Sequence, residues 1–333
     1  MTSTLSDPGL DLVTRLPQRL QIGDRWVRRD ARGFTWWGHR LAQRVWADPV
    51  ATYHDTSVSR VHVATDLLTD VADRQQAIEA LVPLNRVASL SGLAVDAGGT
   101  VRLEASVAVT GDNATLVGSL ALHAMAIQAA DAHIKAAPLA DFLSARVAGT
   151  AHPSHGRREA PDEILDALAF YADKGQGASP FAALDFAQMA LMQPRPWVLA
   201  TARAGGLDVE LPFLGSHPSI LHGHGAAAPE TALLQVRTDH RHPQLGAGLL
   251  LRLALPLRGP AALANDLNLA EAAHPEGHHL GAWTIDQRNL AFYTFVPAVA
   301  FADDLVETLI WHAAARAQWA RDRLYPAPPR PEH

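Results

Sequence analysis

The residues of this sequence best suited to chemistry are its histidines, which number 17. Eight of them fall in three short stretches of the second half, at His217, His222, His224, His240, His242, His274, His278 and His279. Neutral imidazole is the commonest metal ligand, and three rings near a carboxylate such as Asp239 or Glu276 can hold zinc. These stretches are Gly/Pro-rich and lack the spacing of helical zinc sites, so we expect solvated histidines and no metal. The alternative is a metal-dependent hydrolase that uses the loop histidines of residues 217–242, with His222, His224, His240 and His242 as ligands.

Motifs for other kinds of catalysis are missing from the sequence. There is no Cys, which excludes a thiolate zinc site, an iron–sulfur cluster and a cysteine nucleophile. No G-x-S-x-G occurs, and the Gly-rich segments form neither a P-loop nor a complete dinucleotide fingerprint. The paired acids Asp162-Glu163 and Asp303-Asp304 stand at predicted helix starts, where capping explains them. The sequence therefore predicts a protein that is not an enzyme and that has no cofactor.

Tryptophan and arginine, which are enriched at recognition surfaces, occur together near the start of the chain. Arginine stems that cover tryptophan rings on an ordinary sheet face would give the same composition, and we keep that alternative open. The candidate binding residues are Trp36, Trp37, Trp46, Arg40 and Arg44, with Trp283 and Tyr293 in the second half.

A degenerate internal repeat organises the chain. Residues 61–133 and 234–322 present the same order of elements: a Leu-Asn helix, two alternating strands and a long amphipathic helix. The repeat matches Thr65-Asp66 with Thr238-Asp239 and Leu84-Asn85 with Leu267-Asn268. It also aligns His123 with His312, either as a pseudo-symmetric catalytic pair or as two histidines at the rim of a helix packing face, bonded to backbone groups.

Each copy is predicted to be α+β. The alternation of 101–109 after the Gly98-Gly99 turn predicts a hairpin over 92–109, and helices are expected at 113–135 and 302–324. The sequence thus predicts two repeated antiparallel-sheet units with long packing helices. Their expected bounds are 1–135 for the first unit, 136–180 for a helical linker, 181–325 for the second unit and 326–333 for a disordered tail.

The order of elements resembles the fold of type III secretion chaperones and YbjN proteins. The matching stretches run from Leu84-Asn85 to Asp96 and from Leu267-Asn268 to Asp286, each followed by a strand and a long helix. The His-rich insertions at 215–226 and 274–279 depart from that pattern. The resemblance implies a tandem copy packed as a pseudo-dimer. It also implies a non-enzymatic chaperone or adaptor that holds a protein or peptide client on sheet edges and in apolar grooves.

Charge and hydropathy narrow the possible partners. A net charge of −6 argues against a nucleic-acid binder, and no uninterrupted apolar run approaches the roughly 18 residues of a membrane span. Lys occurs only at positions 135 and 174 beside many Arg, a bias typical of a GC-rich bacterial genome. We expect a cytoplasmic protein, either a monomer with an internal pseudo-dimer or a homodimer.

Overall fold

The computed structural model describes residues 7–53, 55–191, 199–214, 230–275 and 277–326 of the chain. It contains two antiparallel sheets with helices packed on them, which confirms the predicted α+β class. Within the described residues, the first sheet is formed by β1 (Val27–Arg29), β2 (Gly33–Trp37), β3 (Ala42–Ala47), β4 (Ala51–Tyr53), β5 (Thr56–Thr69), β6 (Gly92–Val95), β7 (Val101–Val109) and β8 (Arg146–Val147). The second is formed by β9 (Leu199–Arg203), β10 (Gly206–Leu214), β11 (Glu230–Arg237), β12 (Arg241–His242), β13 (Gly246–Arg258), β14 (Ala282–Asp286) and β15 (Asn289–Pro297). The helices are α1 (Pro8–Arg19), α2 (Arg74–Leu81), α3 (Ala114–Leu143), α4 (Ala167–Lys174), α5 (Phe186–Leu191), α6 (Ala261–Ala272) and α7 (Leu305–Leu324).

The two sheets have the same topology. The strand order is β1-β2-β3-β5-β7-β6 in the first and β9-β10-β11-β13-β15-β14 in the second. In each unit the predicted hairpin, β6–β7 or β14–β15, lies at one edge of the sheet, and the long helix that follows packs on the sheet. The structure therefore contains two copies of one unit.

Two asparagines support the predicted match between the Leu-Asn pairs. Asn85 donates to the carbonyl of Leu93 at 3.0 Å and accepts from its N–H at 2.9 Å. Asn268 makes the same two bonds to Trp283, at 3.0 and 2.6 Å. Each side chain thus holds the first strand of its hairpin through the backbone.

The match of the two Thr-Asp pairs is wrong by one strand. Thr65 and Asp66 lie in β5, whereas Thr238 and Asp239 directly follow β11, which occupies the place of β3. Neighbouring strands of similar sequence share the same period of two, so local pattern alone does not distinguish them.

The first long helix extends beyond its predicted end at residue 135. Although Pro138 lacks a backbone N–H, α3 continues to Leu143 and ends where Ser144 adopts a left-handed conformation with φ of 50°. Ala136 and Ala140 are buried on this extension. The start of the predicted linker therefore belongs to the first unit.

The rest of the predicted linker packs against both units. Its helix is present as a 3-10 turn over Glu163–Asp166 followed by α4, and Leu168 and Tyr171 of α4 are buried. The Gly175 carbonyl accepts from the N–H of Ala247 at 2.8 Å. The segment is therefore a packed connection. A 3-10 turn over Pro180–Ala183 and α5 follow this segment, and residues 327–333 of the predicted tail lie outside the described part.

The two units contact each other along their hairpins. The side chain of Asn265 in α6 accepts from the N–H of Val95 at 2.8 Å and donates to its carbonyl at 3.0 Å. Ser106 and His279 exchange two backbone hydrogen bonds, at 2.9 and 2.8 Å. The inner sheet edges are thereby covered by the opposite unit, as in the predicted pseudo-dimer. Over the described residues, no helix combines the length and apolar character needed to cross a membrane.

Candidate binding cleft

The register of the first sheet gathers arginines on its outer face. Arg28 in β1 pairs with Thr35 in β2, and Thr35 pairs with Arg44 in β3, so these three side chains stand side by side. The adjacent residues Phe34 and Val45 are buried in the core. Alternation along the strands thus separates an apolar inner face from a basic outer face.

A cleft of about 750 Å³ lies over this row. Thr35, Trp37 and Ala42 line it from the sheet, and Arg28 and Arg44 stand within the lining. Residues 146–150 and Arg157, which follow α3, complete it. The cleft therefore joins strands of the first sheet to the predicted linker.

Strand β8 positions residues 146–150, which form the wall of the cleft opposite the sheet. It pairs with β5 at Leu68 and Thr69, beyond the residues of β5 that pair with β3. The following Thr150 donates from its backbone N–H to the carbonyl of Arg40 at 3.0 Å. Its hydroxyl accepts from Nε1 of Trp37, also at 3.0 Å. The wall is thus fixed to the sheet at both ends.

An aromatic cluster supports Trp37 beside the cleft. The ring of His152 lies edge-on to Trp37 with 4.8 Å between centroids, and the guanidinium of Arg158 lies 5.5 Å from the ring of Trp26. Arg158 also donates to the carbonyl of Trp37 at 3.2 Å and to Asp162 at 2.8 Å. Burial lowers the pKa of His152, with further contributions from His155 and Arg28, so the ring is neutral at neutral pH.

The cleft carries more positive than negative charge. Four arginines, Arg28, Arg44, Arg146 and Arg157, line it together with only two aspartates, Asp30 and Asp66. Arg146 is paired with Asp70, but Arg28, Arg44 and Arg157 have no ion pair or side-chain hydrogen bond within the described residues. Asp66 is already engaged, at 3.0 Å from Arg102. A chain with a net charge of −6 therefore presents a local cationic site.

The equivalent face of the second sheet is different because its charges are paired. The corresponding row is Thr201, Asp208, Gln235, Arg252 and Tyr293. Asp208 lies between Arg203 and Arg237, and Asp286 accepts from Arg252 and Tyr293. Burial acts to raise the pKa of Asp286, but the bonds from Tyr293 and Arg252 hold it below the usual value. The arginines of this row and of the strands beside it, Arg203, Arg237 and Arg252, are thus ion-paired, unlike Arg28 and Arg44 of the first sheet.

The structure places the predicted binding residues in different surroundings. Trp37 and Arg44 lie in the cleft, and Trp46 stacks on His62 beside Arg44, whose guanidinium is 5.2 Å from the Trp46 ring. Arg40 is exposed in the turn between β2 and β3, outside the cleft lining. Tyr293 belongs to the paired network of the second sheet.

Trp36 and Trp283 are corrections to the predicted site. Their exposed fractions are 1% and 0%, so neither meets a partner at the surface. Trp36 alternates with Trp37 and points into the core, and Trp283 donates from Nε1 to Glu271 at 2.7 Å. Composition did not distinguish core tryptophans from surface ones. The sequence-based selection also omitted Arg28, Arg146 and Arg157; the last two reach the cleft through a strand pairing that has no local signal.

Among the described residues, the structure does not support the metal site of the alternative hydrolase function. His222 and His224 lie outside the described residues. Both ring nitrogens of His242 are engaged, Nε2 by the carbonyl of Val87 at 3.0 Å and Nδ1 by the N–H of Gln244 at 3.1 Å. In the part of the chain described, no three His, Asp or Glu side chains are placed to hold a metal ion.

The two aligned histidines have different surroundings. His123 in α3 has its Nδ1 2.6 Å from the hydroxyl of Tyr171, and burial together with Arg19 lowers its pKa to about 4. The partner is thus a tyrosine hydroxyl and not the expected backbone group. His312 in α7 instead contacts His278, with 3.9 Å between ring centroids.

Comparisons with protein-family models, with curated proteins and with solved structures find no match to this chain. A function must therefore be argued from the site itself.

Proposed function

We propose that this protein is a non-enzymatic, cytoplasmic adaptor or chaperone that holds an extended, acidic segment of a partner protein in the cleft on the outer face of the first sheet. The observation that supports this proposal is the set of three arginines that have no ion pair among the described residues, beside a tryptophan that is held by its neighbours. Peptide holding is also what the resemblance to type III secretion chaperones and YbjN proteins implies.

The chemistry of the lining favours carboxylate side chains. A guanidinium binds a carboxylate through two parallel hydrogen bonds, and Arg28 and Arg44 stand in one row two strands apart. Acidic residues spaced along an extended segment can reach both, since such a segment crosses a sheet with alternate side chains on one face. Ala42, Val147 and the edge of Trp37, which is 6% exposed, offer apolar contact to the residues between them.

The edge of the sheet offers a second means of attachment. Strand β1 ends the strand order and, among the described residues, pairs only with β2. Its free backbone groups can accept an added strand, and Arg28 projects from this same strand toward the cleft. A chain paired with β1 runs along the strands and not across them, so this pairing would hold the stretch of the partner that precedes or follows the acidic residues.

Fluorescence polarisation with labelled peptides tests the proposal. The probes are an acidic peptide of about 12 residues with alternating Glu and apolar side chains, its Glu→Gln counterpart and its Glu→Lys counterpart. The test variant combines Arg28→Gln, Arg44→Gln and Arg157→Gln. The control variant makes the same change in net charge elsewhere, with Arg15→Gln, Arg258→Gln and Arg288→Gln.

We expect the acidic peptide alone to bind, with affinity reduced at least about tenfold in the test variant and unchanged in the control. Equal loss in both variants would mean that only the overall charge matters, and equal binding of the Gln peptide would contradict carboxylate recognition. A single-stranded oligonucleotide that competes as well as the acidic peptide would identify a nucleic-acid site and overturn the proposal.

A further inference from the structure

A second group of charges is buried where the two units meet. Glu271 of α6 accepts from Nε of Arg316 in α7 at 2.6 Å and from Nε1 of Trp283 at 2.7 Å. Burial acts to raise the pKa of Glu271, but Arg316 and His279 lower it to about 2. The carboxylate is therefore ionised at neutral pH, and it neutralises one guanidinium.

A second guanidinium in this group has no carboxylate bonded to it. Arg60 of β5 is 2% exposed and donates to the carbonyls of Ala272 and Gly277, both at 2.8 Å. Burial lowers its pKa to about 10, so it keeps its charge at neutral pH. Arg60, Arg316 and Glu271 together thus carry one positive charge in excess, and Asp48 and Glu104 are further carboxylates whose charge acts on Arg60.

A cleft of about 490 Å³ opens beside this group, between α7 and the segment that follows α6. Its lining includes Arg316, the histidines His278 and His312, and the ring of Trp319. Two carboxylates also line it: Glu271, which is bonded to Arg316, and Asp322, which is bonded to Arg321 at 2.7 Å. The two imidazoles make no hydrogen bond within the described part of the chain, and neither does Nη1 of Arg316. Three groups able to donate a hydrogen bond therefore line one cleft without a partner.

Both imidazoles are neutral at neutral pH. Burial lowers the pKa of His312 to about 4, with a contribution from Arg316. Burial also lowers the pKa of His278 well below its usual value, as do His312, Arg60 and Arg316. A neutral ring keeps one N–H donor and adds no charge, so an incoming anion meets donors in a region of positive potential.

We propose that this cleft binds a small aromatic carboxylate. The carboxylate accepts hydrogen bonds from Arg316 and from the imidazoles of His278 and His312, where the excess positive charge favours an anion. The aromatic ring lies against Trp319, which lines the same cleft. The volume of the cleft falls within the range of small-molecule sites. This cleft shares no lining residue with the cleft proposed for the peptide, so the two binding sites are tested separately.

Isothermal titration calorimetry with 2-naphthoate tests the inference, with 2-naphthalenemethanol as the uncharged analogue of the same shape. The test variants are His312→Phe, which keeps a ring but removes the donor, and Trp319→Leu, which removes the stacking surface. The matched control is His123→Phe, at the corresponding position of the first unit. Circular dichroism of each variant verifies folding.

We expect saturable binding of one 2-naphthoate per chain, and affinity at least about tenfold lower in both test variants and unchanged in the control. The alcohol should bind at least about tenfold more weakly than the carboxylate. The inference is overturned by no saturation up to about 5 mM ligand, by equal affinity for the alcohol, or by equal effects in His123→Phe and Trp319→Leu. If His312→Phe does not fold, Trp319→Leu decides the outcome, because Trp319 is only half-buried.

Discussion

Replacement of Glu271 by Gln should destabilise the fold, because the carboxylate compensates buried positive charge. The amide keeps the size of the side chain and can still accept from Trp283 or Arg316. Among the described residues it removes the one carboxylate bonded to Arg316, and the carboxylates that still act on Arg60 are those of Asp48 and Glu104. The change thus isolates the electrostatic role of one residue from its packing.

The magnitude follows from the pKa of Glu271. A carboxyl that titrates at 4.5 when unfolded and at about 2 when folded stabilises the native state by about 3 kcal/mol at neutral pH. Because the folded pKa is depressed, this stabilisation is complete above pH 4.5 and is lost as the pH falls toward 2. At about pH 3.5, roughly 1 kcal/mol of it should already be gone.

Urea unfolding followed by tryptophan fluorescence measures the effect. The free energy of unfolding of Glu271→Gln should lie about 3 kcal/mol below that of the natural protein at about pH 7, and the gap should narrow by roughly 1 kcal/mol at about pH 3.5. Histidines that do not contact Glu271 affect both proteins alike and do not change the gap. A gap that stays constant between about pH 5.5 and 3.5 would refute the assigned role of Glu271.

Two further predictions concern the folded core. His123→Phe should flatten the loss of stability that the natural protein shows as the pH falls from 6.5 to about 4, since the unfolded imidazole protonates in that window and the buried one does not; an unchanged slope in pH-dependent urea unfolding would contradict the depressed pKa. Asn85→Ala and Asn268→Ala should each lower the free energy of unfolding by about 2–4 kcal/mol, because each leaves a backbone N–H and a carbonyl of a hairpin strand without their amide partner. Thermal unfolding of the two variants measures these changes. A loss of unfolding free energy below about 0.5 kcal/mol in either variant would show that the amide does not hold its hairpin.

The sequence predicted those elements whose pattern is local. The strand over 101–109 alternates apolar and polar residues after a Gly-Gly turn, and both hairpins and both long helices are present in the structure. The position of Trp36 and Trp37 shows the limit of this reasoning. Alternation indicates that one of the two adjacent residues, Trp36 or Trp37, points into the core. Only the register of β2 with its neighbours shows which of them it is.

Features that depend on long-range contacts were not predictable. Arg146 and Arg157 reach the cleft because β8 pairs with β5, about 80 residues earlier in the chain, and two residues of strand have no signature of their own. The extension of α3 beyond residue 135 includes a proline, which normally predicts a helix end. The residue whose carbonyl loses its donor there is Ile134, which is 49% exposed, so solvent can satisfy that carbonyl.

The difference between the two outer faces argues that the first unit is the binding unit. The two faces are built by the same order of strands, and acidic residues lie near both. On the second sheet, Asp208 and Asp286 are bonded to the arginines beside them. On the first sheet, Asp66 lines the same cleft as Arg44 but is bonded to Arg102, which leaves Arg44 without a counterion among the described residues. Arginines that stay unpaired while the acid beside them bonds elsewhere favour the proposed ligand, whose carboxylates would supply the counterions.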